Sequence, residues 1–367
     1  MDRIKVGVIG VGFIGAAHVE ALKRIPGVDV VAIIDSYNVA SKAETLDVPR
    51  YFEDYREMIE VCKPDCVHIC TPNNTHKEIS LYAFEHRIHV VCEKPMARNT
   101  QEASEMLEAA KKSGLIHAIN FHNRFYPVPH QLRNMVIDGE LGKIFSVHGD
   151  YLQDCFFYDT DFNWRVTSQN SGKTRVIADI GSHWIDLAEY VTGQRVTEVF
   201  AEFQIVYPRR KQKRADGYNE IEVDTEDSAY IMLRFENGTV GNAVISQMVA
   251  GKKNRITMII SGSEMSAEWE SEKVSDLNLG YRSEANRVLT KDPTLMRPET
   301  APIVSYPGGH IEGFPDAFKQ NFIAVYSAIR GMKSSNPYAT FEDGLNQMII
   351  CDKLYESSNT GAWVKLR

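Results

Sequence analysis

No stretch of the 367 residues approaches the ~20 consecutive apolar positions that a membrane-spanning helix needs. Met1-Asp2-Arg3 also runs straight into an apolar strand pattern without the layout of a signal peptide. The sequence therefore predicts a cytoplasmic chain with no membrane contact. Cysteine is sparse and irregularly placed: Cys62, Cys66, Cys70, Cys92, Cys155 and Cys351 have no disulfide-framework spacing, so free thiols are expected. A basic surplus is missing as well. Lys and Arg number 41 against 49 Asp and Glu, a formal charge of −8, which argues against nucleic acid as a partner. The one basic run, Arg209-Arg210-Lys211-Gln212-Lys213-Arg214, precedes Asp216 and Gly217 and reads as a solvated loop between strands. Internal repeats and low-complexity segments are absent. The remaining balance, 43% hydrophobic and 25% charged, is that of a globular protein of about two domains.

From residue 3 to about 120, apolar strands alternate with amphipathic helices, which predicts an α/β domain whose parallel sheet is covered on both faces. Strands are expected at Ile4–Ile9, Val28–Ile34, Asp65–Cys70, Ile88–Cys92 and Leu115–Ile119. Helices are expected at Ala16–Arg24, Tyr55–Val61, His76–His86 and Gln101–Ser113, the last with Thr100 as N-cap and Gly114 just past its end. Beyond residue 123 the rhythm changes to long strands, at 144–152, 196–206, 228–235, 239–248 and 255–260. Asn237-Gly238 predicts a tight hairpin turn with both central residues at positive φ. Helices are expected again at Pro315–Arg330 and Glu342–Glu356. This half reads as a large, mostly antiparallel sheet with helices on one face. The expected division is residues 1–123 and 124–367.

Gly10-Val11-Gly12-Phe13-Ile14-Gly15 follows a strand and opens a helix, the context in which a glycine-rich turn binds a dinucleotide. Gly10 permits the turn, Gly12 lets the backbone approach a pyrophosphate, and Gly15 lets helix and strand pack closely. The helix N-terminus offers N–H groups and a positive dipole end to the anion. Asp35 stands twenty residues beyond Gly15 at a strand end, where a carboxylate accepts the adenosine ribose hydroxyls and repels a 2′-phosphate. NAD is therefore expected rather than NADP, with Lys42 the nearest cation.

Cys62, Cys66, His68 and Cys70 invite a zinc hypothesis, but a central parallel strand is buried on both faces and a second ligand cluster is missing; no metal is expected. Lys94, in Cys92-Glu93-Lys94-Pro95, directly follows an apolar strand, as does Thr71-Pro72-Asn73-Asn74. Ligands of open α/β sheets bind at such strand ends. A lysine there can position a substrate hydroxyl and join its proton transfer. In the segment Asp179 to Tyr190, the residues Asp179, His183, Asp186 and Tyr190 recur at i, i+4, i+7 and i+11. On a helix they form a polar stripe facing water or a cleft, beside an apolar stripe of Ile180, Trp184, Leu187, Ala188 and Val191. A carboxylate one turn before an imidazole orients it and raises its basicity, as a general base requires.

Taken together, these segments resemble the glucose–fructose oxidoreductase and inositol dehydrogenase (Gfo/Idh/MocA) family. The resemblance rests on Val8 to Gly15, Cys70-Thr71-Pro72-Asn73, Glu93-Lys94-Pro95, Asn123-Arg124-Phe125, Trp164-Arg165 and Asp179-x-Gly-x-His183-x-x-Asp186, in family order. It implies a Rossmann domain followed by an α+β domain whose open sheet makes a homodimer or homotetramer. It implies Lys94, Asp179 and His183 as catalytic groups. Phe13, Ile14, Thr71, Pro72, Asn73, His76, Glu93, Lys94, Trp164 and Arg165 would line the cofactor with the glycines and Asp35. His122, Asn123, Asp154 and His310 would touch substrate hydroxyls. The segment Lys173 to Ile177 departs from the family's usual small residues, a departure that bears on the substrate.

The expected activity is transfer of a hydride from a secondary alcohol of a sugar or cyclitol to NAD⁺, with His183, assisted by Lys94, accepting the hydroxyl proton. Two other activities use the same features: an NAD-dependent glycoside hydrolase or lyase working by transient oxidation, and a non-catalytic dinucleotide-sensing regulator.

Overall fold

The computed structural model describes residues 3–332 and 336–366. The chain forms two compact units, Met1–Phe125 with Gly313–Asn346, and Tyr126–Glu312 with Gln347–Arg367. The sequence division left residues 313–346 with the second half; they return instead to the first unit.

In the first unit, β1 (Ile4–Ile9), β2 (Val28–Ile34), β3 (Tyr51–Phe52), β4 (Cys66–Ile69), β5 (His89–Cys92) and β6 (His117–Ile119) form a parallel sheet in the order β3-β2-β1-β4-β5-β6. The order reverses between β1 and β4, so a crevice opens at the carboxyl ends of those strands. Val6 and Val8 are fully buried, as are Cys66, Val67 and Val91, because helices cover both faces of the sheet. One covering helix is Phe314–Ile329, whose Phe318, Phe322, Val325 and Tyr326 join the core of β1, β2 and helix Phe13–Lys23. Each buried phenylalanine contributes about 1.5–3 kcal/mol to that packing. The helix Thr100–Ser113 is capped one residue earlier than expected: the Asn99 side chain accepts the Glu102 N–H at 2.9 Å. Gly114 ends it at φ +66°, a left-handed cap that glycine adopts without a Cβ clash.

In the second unit, a nine-stranded sheet follows β7 (Ile144–Leu152), β8 (Val196–Gln204), β11 (Ser228–Phe235), β12 (Val240–Ser246), β13 (Arg255–Gly262), β14 (Ser266–Glu270), β15 (Asp276–Gly280), β16 (Arg287–Thr290) and β17 (Val364–Lys365), in the order β16-β15-β14-β13-β7-β12-β11-β8-β17. Every pairing is antiparallel except β12 with β7. The β11–β12 turn differs from the expected one. Phe235 N–H bonds Thr239 O, and only Gly238 has positive φ, at +84°. The loop thus has three residues, closed by one left-handed glycine.

The basic run is a strand, not a loop. It is β9 (Arg209–Arg214), paired with β10 (Gly217–Glu222). Its Arg210 is fully buried and donates to Phe156 O at 2.9 Å, Tyr158 O at 2.7 Å and Asp227 Oδ1 at 2.8 Å. Arg175 also donates to Asp227 Oδ1, and its guanidinium lies 4.2 Å from the Phe156 ring centroid. One buried carboxylate therefore holds two buried guanidinium groups.

Candidate active site

The first unit delivers its chemistry from consecutive strand ends. After β1, Gly10 turns at φ +86°, and a Cβ there would lie 2.8 Å from Thr71 N; a Cβ on Gly15 would lie 2.0 Å from Gly10 O. A Cβ on Gly12 would meet nothing within 4 Å. Gly12 is the N-cap of helix Phe13–Lys23, with no side-chain cap bond and no acidic residue in the first turn. That open, positive helix end fits a pyrophosphate.

After β2, Asp35 accepts the Val11 N–H at 2.8 Å and the Tyr37 N–H at 3.1 Å, and Lys42 Nζ lies 2.7 Å from Oδ2. Burial opposes the charge on Asp35, but Lys42 and the two N–H groups prevail and hold the carboxyl below its ordinary value. Beside it a cavity of about 310 Å³ is lined by Val11, Ala16, Tyr37, Asn38, Ser41 and Lys42, among others. These residues fit the adenosine half of NAD. An NADP 2′-phosphate would meet the Asp35 carboxylate, to which Lys42 is already paired. Asp35→Ala is expected to lower kcat/KM for NAD⁺ by about tenfold to a hundredfold, the loss of one charged hydrogen bond. The same change raises the relative use of NADP⁺. An unchanged NAD⁺/NADP⁺ ratio would show that Asp35 does not face the ribose.

After β4, Thr71 and Pro72 lead into helix Asn73–Glu85. His76, buried by that helix, places Nε2 2.8 Å from Thr71 O and Nδ1 3.1 Å from Pro95 O, linking the ends of β4 and β5. After β5 comes Glu93, whose Oε1 lies 2.9 Å from His18 Nε2 and accepts Asn120 Nδ2 at 2.5 Å. Burial would raise this carboxyl. The His18 bond and charge, with Lys94 and Asn120, overcome it and bring the value to about 2. Glu93 therefore stays ionised beside Lys94. After β6, His122 and Asn123 are buried. Burial pushes His122 down to about 3, so its ring is neutral at physiological pH. Asn123 Nδ2 has no hydrogen-bond partner among the described residues, an orphan donor suited to a ligand oxygen.

Cys66 and His68, two of the residues that invited a zinc site, are packed into the core. His68 bonds His18 and Tyr326, and burial pushes the Cys66 thiol up to about 12.

The second unit carries the other expected residues. Residues Ile177–Gly181 form a π-helical turn, and an α-helix runs over Ser182–Thr192. The i, i+4 spacing thus crosses a change of helix type, and Asp179 and His183 do not share one regular α-helix. Nor does the polar stripe face water, since all eleven residues of the α-helix are buried. The reason lies in packing on two sides. Trp184 Nε1 donates to Thr257 O at 2.8 Å on the sheet, where Gly149 leaves room for the indole. On the other side, the Arg133 guanidinium lies 4.5 Å from the Tyr190 ring centroid. Glu226 fixes the start of the π turn by accepting the Arg175 and Ile177 N–H groups at 3.0 and 2.9 Å.

Asp179 Oδ2 accepts Gln247 Nε2 at 3.0 Å, and Gln247 also donates to Gln153 Oε1 at 3.0 Å. Arg165 Nε stands 3.9 Å from Asp179 Oδ1, with its guanidinium 4.4 Å from the Trp164 ring centroid. Tyr151, which donates to Asn254 Oδ1 at 2.9 Å, has its ring 6.4 Å from that of His183. The ends of β7 and β12 thus gather Trp164, Arg165, Asp179 and His183 with Tyr151, Gln153 and Gln247. Sequence reasoning missed the last three. Gln153 directly follows the strand expected at 144–152, the kind of position that singled out Lys94, whereas Gln247 lay inside the strand expected at 239–248, which ends instead at Ser246.

Two expected substrate residues have other partners. Asp154 accepts Lys253 Nζ at 2.7 Å and the Gly251 N–H at 3.1 Å. His310 is exposed on a loop held by the buried Lys291–Glu312 pair, 2.7 Å apart.

Comparison with known proteins agrees with the fold. Residues 4–121 match the model of an oxidoreductase family with an NAD-binding Rossmann fold, and residues 130–268 match the GFO/IDH/MocA C-terminal domain. Levoglucosan dehydrogenase of Pseudarthrobacter phenanthrenivorans is 29% identical over 99% of this chain and 98% of its own. Myo-inositol 2-dehydrogenase of Thermotoga maritima is 29% identical over 65% of this chain and 67% of its own. A solved levoglucosan dehydrogenase in complex with NADH and L-sorbose superposes with TM-score 0.91 at 28% identity, covering 100% of both chains.

Proposed function

Because the chain belongs to the Gfo/Idh/MocA family of NAD-binding oxidoreductases, we propose that it oxidises a secondary alcohol of a sugar or cyclitol. One observation carries the reading. The glycine turn, Asp35, Thr71, Lys94 and His122 all follow carboxyl ends of one parallel sheet, where an open α/β fold binds its ligand. NAD⁺, when bound, accepts the hydride at C4 of its nicotinamide.

In this mechanism Phe13, Ile14, Pro72, Asn73 and His76 line the cofactor from the first unit, with Trp164 and Arg165 from the second. The Lys94 ammonium stabilises the negative charge that develops on the substrate oxygen, as a preorganised cation does. His183 takes the hydroxyl proton, and Asp179, fixed by Gln247, sets the field around it. His122 and Asn123 orient the remaining hydroxyls; Asp154, paired with Lys253, and the exposed His310 would do so only by exchanging those surroundings for substrate. Glu93 keeps Lys94 in place. The carbinol C–H is thereby held toward the nicotinamide, and much of the rate gain comes from that orientation.

The test is absorbance at 340 nm with NAD⁺ and a panel of monosaccharides, inositols and anhydrosugars. NADH is expected to accumulate in proportion to the substrate oxidised. Cleavage of a glycosidic bond without net NADH would assign the protein to the hydrolase or lyase cycle. Turnover of no panel member, with NADH still bound, would favour the sensing regulator.

The same reading makes the protein cytoplasmic, in keeping with six cysteines that are all thiols; no described helix is long and apolar enough to cross a membrane. It also makes it a homodimer or homotetramer through the outer face of the nine-stranded sheet. Tyr230, Met232 and Val240 are exposed on that face, apolar side chains that a partner sheet would cover. Light scattering is expected to give two or four times 41.5 kDa; a monomer at micromolar concentration would contradict the assignment.

A further inference from the structure

Three polar side chains that the proposed reaction does not use run in a line through the apolar core of the first unit and end on Glu93. Tyr326 Oη lies 2.8 Å from His68 Nε2, His68 Nδ1 lies 2.7 Å from His18 Nδ1, and His18 Nε2 lies 2.9 Å from Glu93 Oε1. Tyr326, His68 and His18 have no solvent exposure, and Glu93 has 6%. Carrying polar groups through a core is costly unless each is satisfied.

With both rings neutral the contacts admit one arrangement of protons, and a His18 that also carries the charge acting on Glu93 presents the same Nε2–H to it. Glu93, being ionised, only accepts, so His18 carries its proton on Nε2. Burial, together with the neighbouring His18, pushes His68 well below its ordinary value, so it is neutral. His68 then donates from Nδ1 to the bare Nδ1 of His18. Its Nε2 accepts the Tyr326 hydroxyl, which burial keeps protonated. Every donor points toward Glu93. The far end closes on the buried Cys66 thiol, so the line has no outlet to water and is not a proton path. At the near end, Glu93 Oε2 accepts the Lys94 N–H at 3.2 Å.

We infer that His18 is a positioning residue for Lys94. Its Nε2–H, oriented by His68 and Tyr326, pins Glu93, and Glu93 fixes the backbone from which the Lys94 side chain departs. The inference rests on Lys94 acting in the dehydrogenation proposed above. The groups facing His18 are Glu93, His68, Asn120 and the rings of Phe318 and Phe322; Lys94 adds charge near Glu93, and the neutral His122 stands close to both.

The experiment compares His18→Leu, which removes the donor, with His18→Gln, which restores an N–H near Nε2. With a sugar that the wild type oxidises, His18→Leu should lose about tenfold to a hundredfold in kcat, the cost of a misplaced catalytic group. NADH affinity, read by fluorescence, should stay within about twofold, and His18→Gln should recover most of the loss. Wild-type kcat in His18→Leu, a parallel loss of NADH affinity, or no recovery with Gln would each overturn the inference. Should His18→Leu fail to fold, ¹⁵N spectra of histidine-labelled wild type decide it. His18 is expected to carry a proton on Nε2 directed at Glu93; an unprotonated Nε2 would refute it. Lys94→Met is assayed alongside. If it retains activity, the reading of Lys94 has failed; if it is inactive while His18→Leu is normal, only the present inference has.

Discussion

Lys94→Met is expected to lower kcat by about a thousandfold, the middle of the range for a group that handles a reacting proton and its charge, while NADH still binds. Methionine keeps the length and apolar stem of lysine and removes only the ammonium. Two features make the effect large. Lys94 stands at the end of β5 where the fold presents ligands, and its neighbour Glu93 is a buried, ionised carboxylate tied to His18 and Asn120. The position is therefore built rather than incidental. His183→Phe, which conserves a buried ring and removes the base, should cost about a hundredfold or more. If either variant kept wild-type kcat, that residue would leave the mechanism.

The second large effect is on stability. Asp227→Asn removes the charge that holds Arg175 and Arg210, and all three side chains are fully buried. Breaking such a group leaves uncompensated buried cations and costs about 3–5 kcal/mol, against a total of about 5–15 kcal/mol for a domain. The thermal midpoint should fall by about 10 °C. Asp227 also accepts the Val206 and Tyr207 N–H groups at 2.7 and 3.3 Å, so strand β8 should loosen at its end. A midpoint within about 2 °C of wild type would mean that the cluster contributes little.

The first unit was largely legible because its signals are local. Gly10 and Gly15 are demanded by backbone approaches of 2.8 and 2.0 Å, which no other residue tolerates, and Asp35 and Lys94 follow strands whose apolar runs are unmistakable. Legibility failed where the determinant lies elsewhere in the chain. The periodicity of Phe314–Ile329 identifies an apolar helix face but not which sheet it covers, so its return to the first unit was not readable. Arg210 reads as one charge in a basic run; its burial is explained only by partners outside the run, the Asp227 carboxylate and the Phe156 and Tyr158 carbonyls. The spacing from Asp179 to His183 reads as one α-helix because the π turn depends on Glu226, which bonds the Arg175 and Ile177 backbone from 49 or more residues away. Asn237-Gly238 predicted a turn correctly but not its length, which Phe235 and Thr239 set by closing the ladder outside it.

The central claim is that Lys94 and His183 act on the same substrate hydroxyl. Single-turnover rates of Lys94→Met, His183→Phe and the double variant test it most directly. Groups that work as one unit are strongly non-additive, so the double variant should be no more than about tenfold slower than the slower single variant. Losses that multiply in full would mean that the two groups act independently, and would contradict the account.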